Sequence, residues 1–106
     1  MQPFTEKALQ VIQNVPAGKV MTYGQVARCA GSPRGARQIA RLLHSMSEKH
    51  GLPWHRIVNS QGKLVLADEE ARHLQRTLLE QEGVEINRSG LIDLEMYRHN
   101  PDDSMV

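Results

Sequence analysis

Apolar residues recur at helical spacing in three stretches of the chain, with shorter mixed segments between them. In the first, Ala8, Leu9 and Ile12 form one stripe. Thr5 is positioned to cap this helix and Phe4, just before it, to pack on Leu9 as a hydrophobic staple. Pro16 and Gly18 end it. Val20 and Met21 lead to a second cap, Thr22, followed by a short helix through Tyr23 to Ala30 that Gly31 stops. Ser32-Pro33 then predicts a new helix start, a capping serine before a proline in the first turn. On that helix Arg34, Arg37, Gln38 and Arg41 share a polar face, and Ile39, Leu42, Leu43 and Met46 point the other way.

Two helices joined by a tight turn form a helix-turn-helix pattern, which many unrelated helix pairs share. Gly51-Leu52-Pro53 breaks the second helix. His55–Asn59 and Lys63–Leu66 read as short strands around Ser60-Gln61-Gly62, a small hairpin. A last helix starts at Asp68, with Glu69 and Glu70 in its first turn, where acidic side chains suit the helix dipole. Ala71, Leu74, Leu78 and Leu79 give it an inner face, Gly83 an exit, and Val84 to Ile86 an extended segment. The expected fold is mainly α: a winged-helix-like single domain over residues 1–106, with a helix-turn-helix and a small β-hairpin. The polar stretch from Asn100 to Val106, with Pro101, reads as a flexible tail.

Composition narrows the class. Apolar residues at 40% and charged residues at 24% describe a water-soluble domain with one modest core. No apolar run approaches the roughly 20 residues needed to span a bilayer. The start, Met1-Gln2-Pro3-Phe4, lacks the basic and apolar regions of a secretory signal. The one cysteine, Cys29, has no internal disulfide partner and is too little for a thiolate metal cage. A reducing cytoplasm is the expected compartment. The net charge of +1 does not make the whole chain a strong polyanion binder. Its distribution matters more: Arg28, Arg34, Arg37 and Arg41 lie close together, while acidic residues dominate later. A phosphate-attracting patch and a solvated helix face both explain those arginines.

No catalytic constellation emerges. The five histidines show no metal-ligand spacing. There is no nucleophile elbow, phosphate-cradling glycine loop or dinucleotide fingerprint. Cys29 sits among small apolar residues and reads as an inert, buried thiol. No metal or cofactor is expected, and no catalytic residue is assigned.

The unusual segment is Pro53-Trp54-His55-Arg56. It follows Val15-Pro16-Ala17-Gly18-Lys19-Val20, Thr22-Tyr23-Gly24-Gln25-Val26-Ala27 and Pro33-Arg34-Gly35-Ala36-Arg37. These four blocks, in this order and spacing, resemble the C-terminal DNA-binding and catalytic domain of O6-alkylguanine-DNA alkyltransferases over residues 15–86. The active-site block in those enzymes reads Pro-Cys-His-Arg. Trp54 in place of the cysteine resembles the alkyltransferase-like branch, and only about fourteen residues precede the match. The chemistry agrees with the loss of transfer: an alkyl acceptor needs an available lone pair, and the indole nitrogen only donates a hydrogen bond.

The resemblance implies a non-enzymatic sensor. It would bind duplex DNA through the minor groove, flip O6-alkylguanine into a pocket lined by Trp54, and flag it to nucleotide-excision-repair proteins. A monomer in the cytoplasm, on the nucleoid if bacterial, is expected, with no membrane association. The DNA- and lesion-binding residues implied are Tyr23, Arg37, Trp54, Thr22, Arg34, Gly35, Ala36 and Pro53. Tyr23 would press on the backbone phosphate, and Arg37 would fill the vacated stack. The small residues Gly35 and Ala36 would let the helix enter a narrow groove. His55 and Glu82 match the relay that deprotonates the cysteine and here would support the pocket. Arg56 looks structural. Ala67 falls where some relatives carry an arginine that stacks on the flipped base, which leaves Trp54 as the main lesion contact. Two other readings stay open: a major-groove regulator, and an enzyme using Cys29 or His55.

Overall fold

A computed structural model describes residues 2–101. Helix α1 spans Pro3–Gln13, strand β1 Met21–Thr22, α2 Tyr23–Cys29 and α3 Ala36–His50. A single 3-10 turn, Trp54–Arg56, leads into β2, Ile57–Val58, followed by α4, Glu69–Gln81, and α5, Leu94–Tyr97. The mainly helical expectation holds. No helix of the described residues is long and apolar enough to cross a membrane.

The stripes read from the sequence build the larger core. Ala8, Leu9 and Ile12 of α1 meet Val26 and Ala27 of α2 and Ile39, Leu42 and Leu43 of α3, with Met21 and Ile57 beneath. Each fully buried Leu or Ile in such a cluster contributes about 1.5–3 kcal/mol. A smaller cluster joins Val20, Val58 and Leu64 to Leu79, Val84 and Ile92. It ties α4 and the C-terminal segment to β2 and to the residue before β1.

Helix starts differ from expectation at two places. Helix α1 begins at Pro3, with Gln2 as its cap position and no side-chain cap. Proline's missing N–H costs nothing in the first turn, so Thr5 lies inside the helix rather than capping it. Helix α3 begins at Ala36, not at Pro33. Pro33 instead shapes a tight turn closed by Gly35 N–H donating to Ser32 O at 2.9 Å. Arg34 therefore precedes the helix, and Arg37 sits in its first turn. Helix α2 does start where Thr22 predicts. The Thr22 hydroxyl accepts from Gln25 N at 3.1 Å, and Gln25 Oε1 accepts from Thr22 N at 3.0 Å. This closes a reciprocal capping box.

The hairpin is not formed. Strand β2 pairs in parallel with β1, Met21 beside Ile57 and Thr22 beside Val58. Lys63 instead bridges antiparallel to Leu91. Ser60-Gln61-Gly62 is a turn as expected, but the Asn59 side chain organises it, accepting from Gln61 N and Lys63 N. Gly62 packs under Ile92 O, where an added Cβ would sit at 2.6 Å. The turn therefore leads into the C-terminal segment rather than back along β2.

Helix α4 is capped by Asp68, whose carboxylate accepts from Glu70 N. Its inner face differs from the apolar pattern: Leu74 is exposed, and Gln75 takes the inward position with Leu79. Asn100 is docked rather than frayed. His99 N donates to Val20 O at 2.8 Å, and Gln25 Nε2 donates to His99 O and Asn100 Oδ1. Of the expected tail, residues 102–106 lie outside the described residues.

Candidate nucleic-acid interface

Trp54 is presented by the way α3 ends. Gly51 takes a left-handed conformation, φ 60°, and Leu52 N reaches back to Ser47 O at 2.9 Å. Trp54 N then donates to Leu52 O at 2.8 Å, and Arg56 N to Pro53 O at 3.0 Å, closing the 3-10 turn. Pro53 thus shapes the turn. The half-buried indole meets the His55 ring edge-on, centroids 6.2 Å apart.

Behind this turn lies Glu82. Its carboxylate accepts from His55 Nε2 at 2.8 Å, from Arg56 Nη2 at 2.7 Å and from Arg56 Nε at 3.1 Å. Gly18 N donates to it at 3.0 Å. Arg56 Nη1 continues to Val15 O at 2.9 Å, which fits the structural role expected of it. Burial pushes the Glu82 carboxyl up, but the hydrogen bonds from Arg56, Gly18 N and His55, together with the charge of His55, overcome it and hold the carboxyl at about 2. Three segments distant in sequence are fastened to one anion: the loop after α1, the Trp54 turn and the end of α4.

On the other side, Trp54 borders a cleft of about 950 Å³. Tyr23, Leu43, Ile57, Leu66 and Ala67 share its wall. That size accommodates a planar base and a substituent. Burial raises the Tyr23 phenol above its ordinary value, which keeps the hydroxyl a neutral donor at neutral pH. Ala67 lines the same cleft as Trp54. Gln75 also lines it, donating through Nε2 to His55 O and Ile57 O at 3.3 and 3.2 Å.

The expected contact residues separate into two groups. Arg34, Arg37 and Arg41 are exposed on and before α3, and Ala36 is half-buried. The N-terminus of α3 has no side-chain cap and no acidic residue in its first turn. Its free N–H groups and the arginines present one positive edge. Thr22 and Gly35 turn inward instead. Thr22 is buried with its hydroxyl engaged in the capping box, so it fixes Tyr23 rather than offering a surface. An added Cβ on Gly35 would meet Phe4 Cζ and Ser32 O, each at 3.1 Å. Its smallness therefore serves the packing of α1 on the turn before α3.

His44, Glu48 and Asp68 also line the cleft, and none is a site residue expected from the sequence. The spacing of His44 and Glu48 on α3 puts them on one face, but only the fold shows that this face looks toward Trp54. Cys29 is half-buried against the helical core and does not line the cleft. Among the described residues, no group of three or more His, Cys, Asp or Glu is placed to hold a metal ion.

Residues 3–84 match the family model described as "6-O-methylguanine DNA methyltransferase, DNA binding domain". The chain belongs to that family. The match takes in α1, which the motif resemblance left outside. Among its relatives, the DNA base-flipping protein of Escherichia coli is 44% identical, over 92% of this chain and 74% of that protein. Alkyltransferase-like protein 1 of Schizosaccharomyces pombe is 38% identical, over 86% of this chain and 85% of that protein. These likenesses put the chain in the alkyltransferase-like branch of the family. The fold agrees with S. pombe Atl1 in complex with damaged DNA containing O6-carboxymethylguanine, at a TM-score of 0.85 and 34% identity, over 95% of this chain and 98% of that one. An O6-methylguanine methyltransferase of Mycobacterium tuberculosis shares the fold at a TM-score of 0.63 and 23% identity, over 91% of this chain and 55% of that one.

Proposed function

We propose that this protein is a non-enzymatic sensor of O6-alkylguanine in duplex DNA, one that binds a flipped base and does not take its alkyl group. The observation that carries this reading is Trp54 on the wall of the Tyr23 cleft, within the block that resembles the enzymes' Pro-Cys-His-Arg. An indole has no free lone pair with which to accept an alkyl group, but its face stacks on a base.

Energetics favour damage over intact guanine. Flipping a base costs a few kcal/mol, and least for a base whose pairing is already weakened. Alkylation at O6 disrupts the guanine–cytosine hydrogen bonds. Stacking on one aromatic face is worth about 1–3 kcal/mol, which offsets much of what remains. Arg37, exposed in the first turn of α3, is the group proposed to fill the vacated stack, because its planar guanidinium both stacks and hydrogen-bonds. Arg34 and the N-terminus of α3 are proposed to hold phosphate, with Tyr23 pressing on the flipped nucleotide's backbone. Ala36 is proposed to lie beside the minor-groove wall. The complex would then act as a flag for nucleotide-excision-repair proteins, formed by a cytoplasmic monomer.

Equilibrium binding to matched duplexes with and without O6-methylguanine tests the reading, run beside an assay for transfer of labelled methyl to the protein. Tighter binding to the damaged duplex with no label on the protein is expected. Equal affinities would refute sensing, and labelled protein would refute the absence of transfer.

A further inference from the structure

This inference rests on the damage-sensing reading and concerns which lesions the cleft accepts. Apart from the Tyr23 phenol, its ionisable lining groups are His44 and Glu48 of α3 and Asp68 at the cap of α4. All three are exposed, so they stand at the rim rather than in the floor. No lysine or arginine is among the described residues lining the cleft. Arg72, one turn beyond Asp68, directs its guanidinium to Leu66 O and lines a separate cleft with Lys63 and Arg76. Neither Glu48 nor Asp68 is in an ion pair among the described residues. Asp68 spends one oxygen on Glu70 N at 3.3 Å. His44 is the only lining side chain able to carry positive charge.

The cleft therefore joins apolar walls to a rim that carries two carboxylates. The positive edge lies elsewhere, at the start of α3, where Arg34 and Arg37 stand outside the cleft lining. A flipped nucleotide would leave its phosphates at that edge and carry only the base and its O6 substituent past Glu48 and Asp68. We infer that the cleft selects O6 substituents by charge, favouring neutral or ammonium-bearing arms over carboxylate-bearing ones. Unit charges roughly 8 Å apart in hydrated surroundings shift an equilibrium about two- to sixfold. Two carboxylates acting together are thus expected to separate a neutral from an anionic arm by about fivefold or more. The adduct in the S. pombe Atl1 complex, O6-carboxymethylguanine, carries an anionic arm. This chain is expected to bind it less well than a neutral adduct of similar size.

The test measures affinities of the full chain for duplexes that differ at one position, at about 0.05 M salt so that screening is modest. The probes carry O6-(2-aminoethyl)guanine, O6-(2-hydroxyethyl)guanine, O6-carboxymethylguanine or unmodified guanine. The aminoethyl duplex should bind tightest and the carboxymethyl duplex about fivefold or more below the hydroxyethyl one. Glu48→Gln with Asp68→Asn should bring the three lesions within about twofold of one another. Both sites are exposed, and asparagine caps a helix as well as aspartate does. Each single variant, read separately, should narrow the spread. Carboxymethyl binding as tight as hydroxyethyl in the unaltered chain would overturn the inference, as would an unchanged spread in the double variant. Equal binding of the hydroxyethyl and unmodified duplexes would overturn the damage-sensing reading, and this inference with it.

Discussion

Replacing Glu82 with glutamine removes a negative charge from the point where His55, Arg56 and Gly18 N converge. A carboxyl held at about 2 instead of 4.5 stabilises the folded chain by about 3 kcal/mol at neutral pH. Because the folded value is depressed, that stabilisation is full above 4.5 and fades as pH falls toward about 2. Glutamine still accepts from Gly18 N, but it leaves Arg56 without a counter-charge in a site where both side chains are under 20% exposed. The expected loss for Glu82→Gln is therefore about 2–3 kcal/mol at pH 7, or roughly 10–20 °C in melting temperature for a domain of this size. Urea unfolding of both proteins at steps from about pH 7 to 3 measures it. The two curves should lie farthest apart at pH 7 and draw together below about 4.5, where the unfolded chain's carboxyl takes up a proton that the folded one still refuses, with roughly half the gap left at pH 3. A gap of the same size at every pH, or no gap at pH 7, would refute the electrostatic account of this junction.

Trp54→Ala should lower the ratio of damaged to undamaged affinity by about ten- to a hundredfold, the loss of one aromatic stacking surface, with little change in binding to intact DNA; a preserved ratio in a binding titration would remove Trp54 from the lesion contact. Arg37→Ala should weaken binding to the damaged duplex more than to intact DNA. Arg34→Ala should weaken both alike and reduce the slope of log affinity against log salt by about one. Gly62→Ala should destabilise the fold strongly: φ is 77° and the new methyl would stand 2.6 Å from Ile92 O. A melting temperature unchanged by that substitution would mean that the turn is free to move away from the C-terminal segment.

Much of the fold was legible because it rests on local signals. The apolar spacing of Ile39, Leu42 and Leu43 gave the buried face of α3, and Thr22 marked the start of α2 through a cap that needs only nearby residues. The strands were misread because β pairing is non-local. Ile57 and Val58 are β-branched and turn residues follow, as in a hairpin, yet their partner lies at Met21 and Thr22. Nothing in the sequence around Ser60 records that. Leu74 and Gln75 show the same limit. Helical period favours leucine inward, but Gln75 goes in because its amide finds two backbone carbonyls at the Trp54 turn. In the site, Trp54, Tyr23 and the His55–Glu82 pair followed from matched motifs. The acidic rim did not: Asp68 marked only the start of α4, and Glu48 carried no signal of its own. Nor did the packing role of Gly35, whose missing Cβ makes room for Phe4.

The His55–Glu82 pair raises the question of why a relay should stand behind a residue that cannot be deprotonated. Its geometry supplies an answer. If Glu82 touched only His55, its sole work would be proton transfer, and the arrangement would be idle beside an indole. Instead Arg56 holds the same carboxylate through two nitrogens and reaches Val15 O, while Gly18 N closes the loop after α1 onto it. Removing Glu82 would free the loop that leads into β1, and β1 leads directly into Tyr23. It would also free the turn that aims Trp54. One anion thus fastens both the loop that leads toward Tyr23 and the turn that carries Trp54. A pocket that works by stacking needs those rings held at a fixed spacing, because each degree of freedom ordered on binding subtracts from the affinity gained. The His55–Glu82 pair therefore has a mechanical role at this junction that needs no thiol beside it.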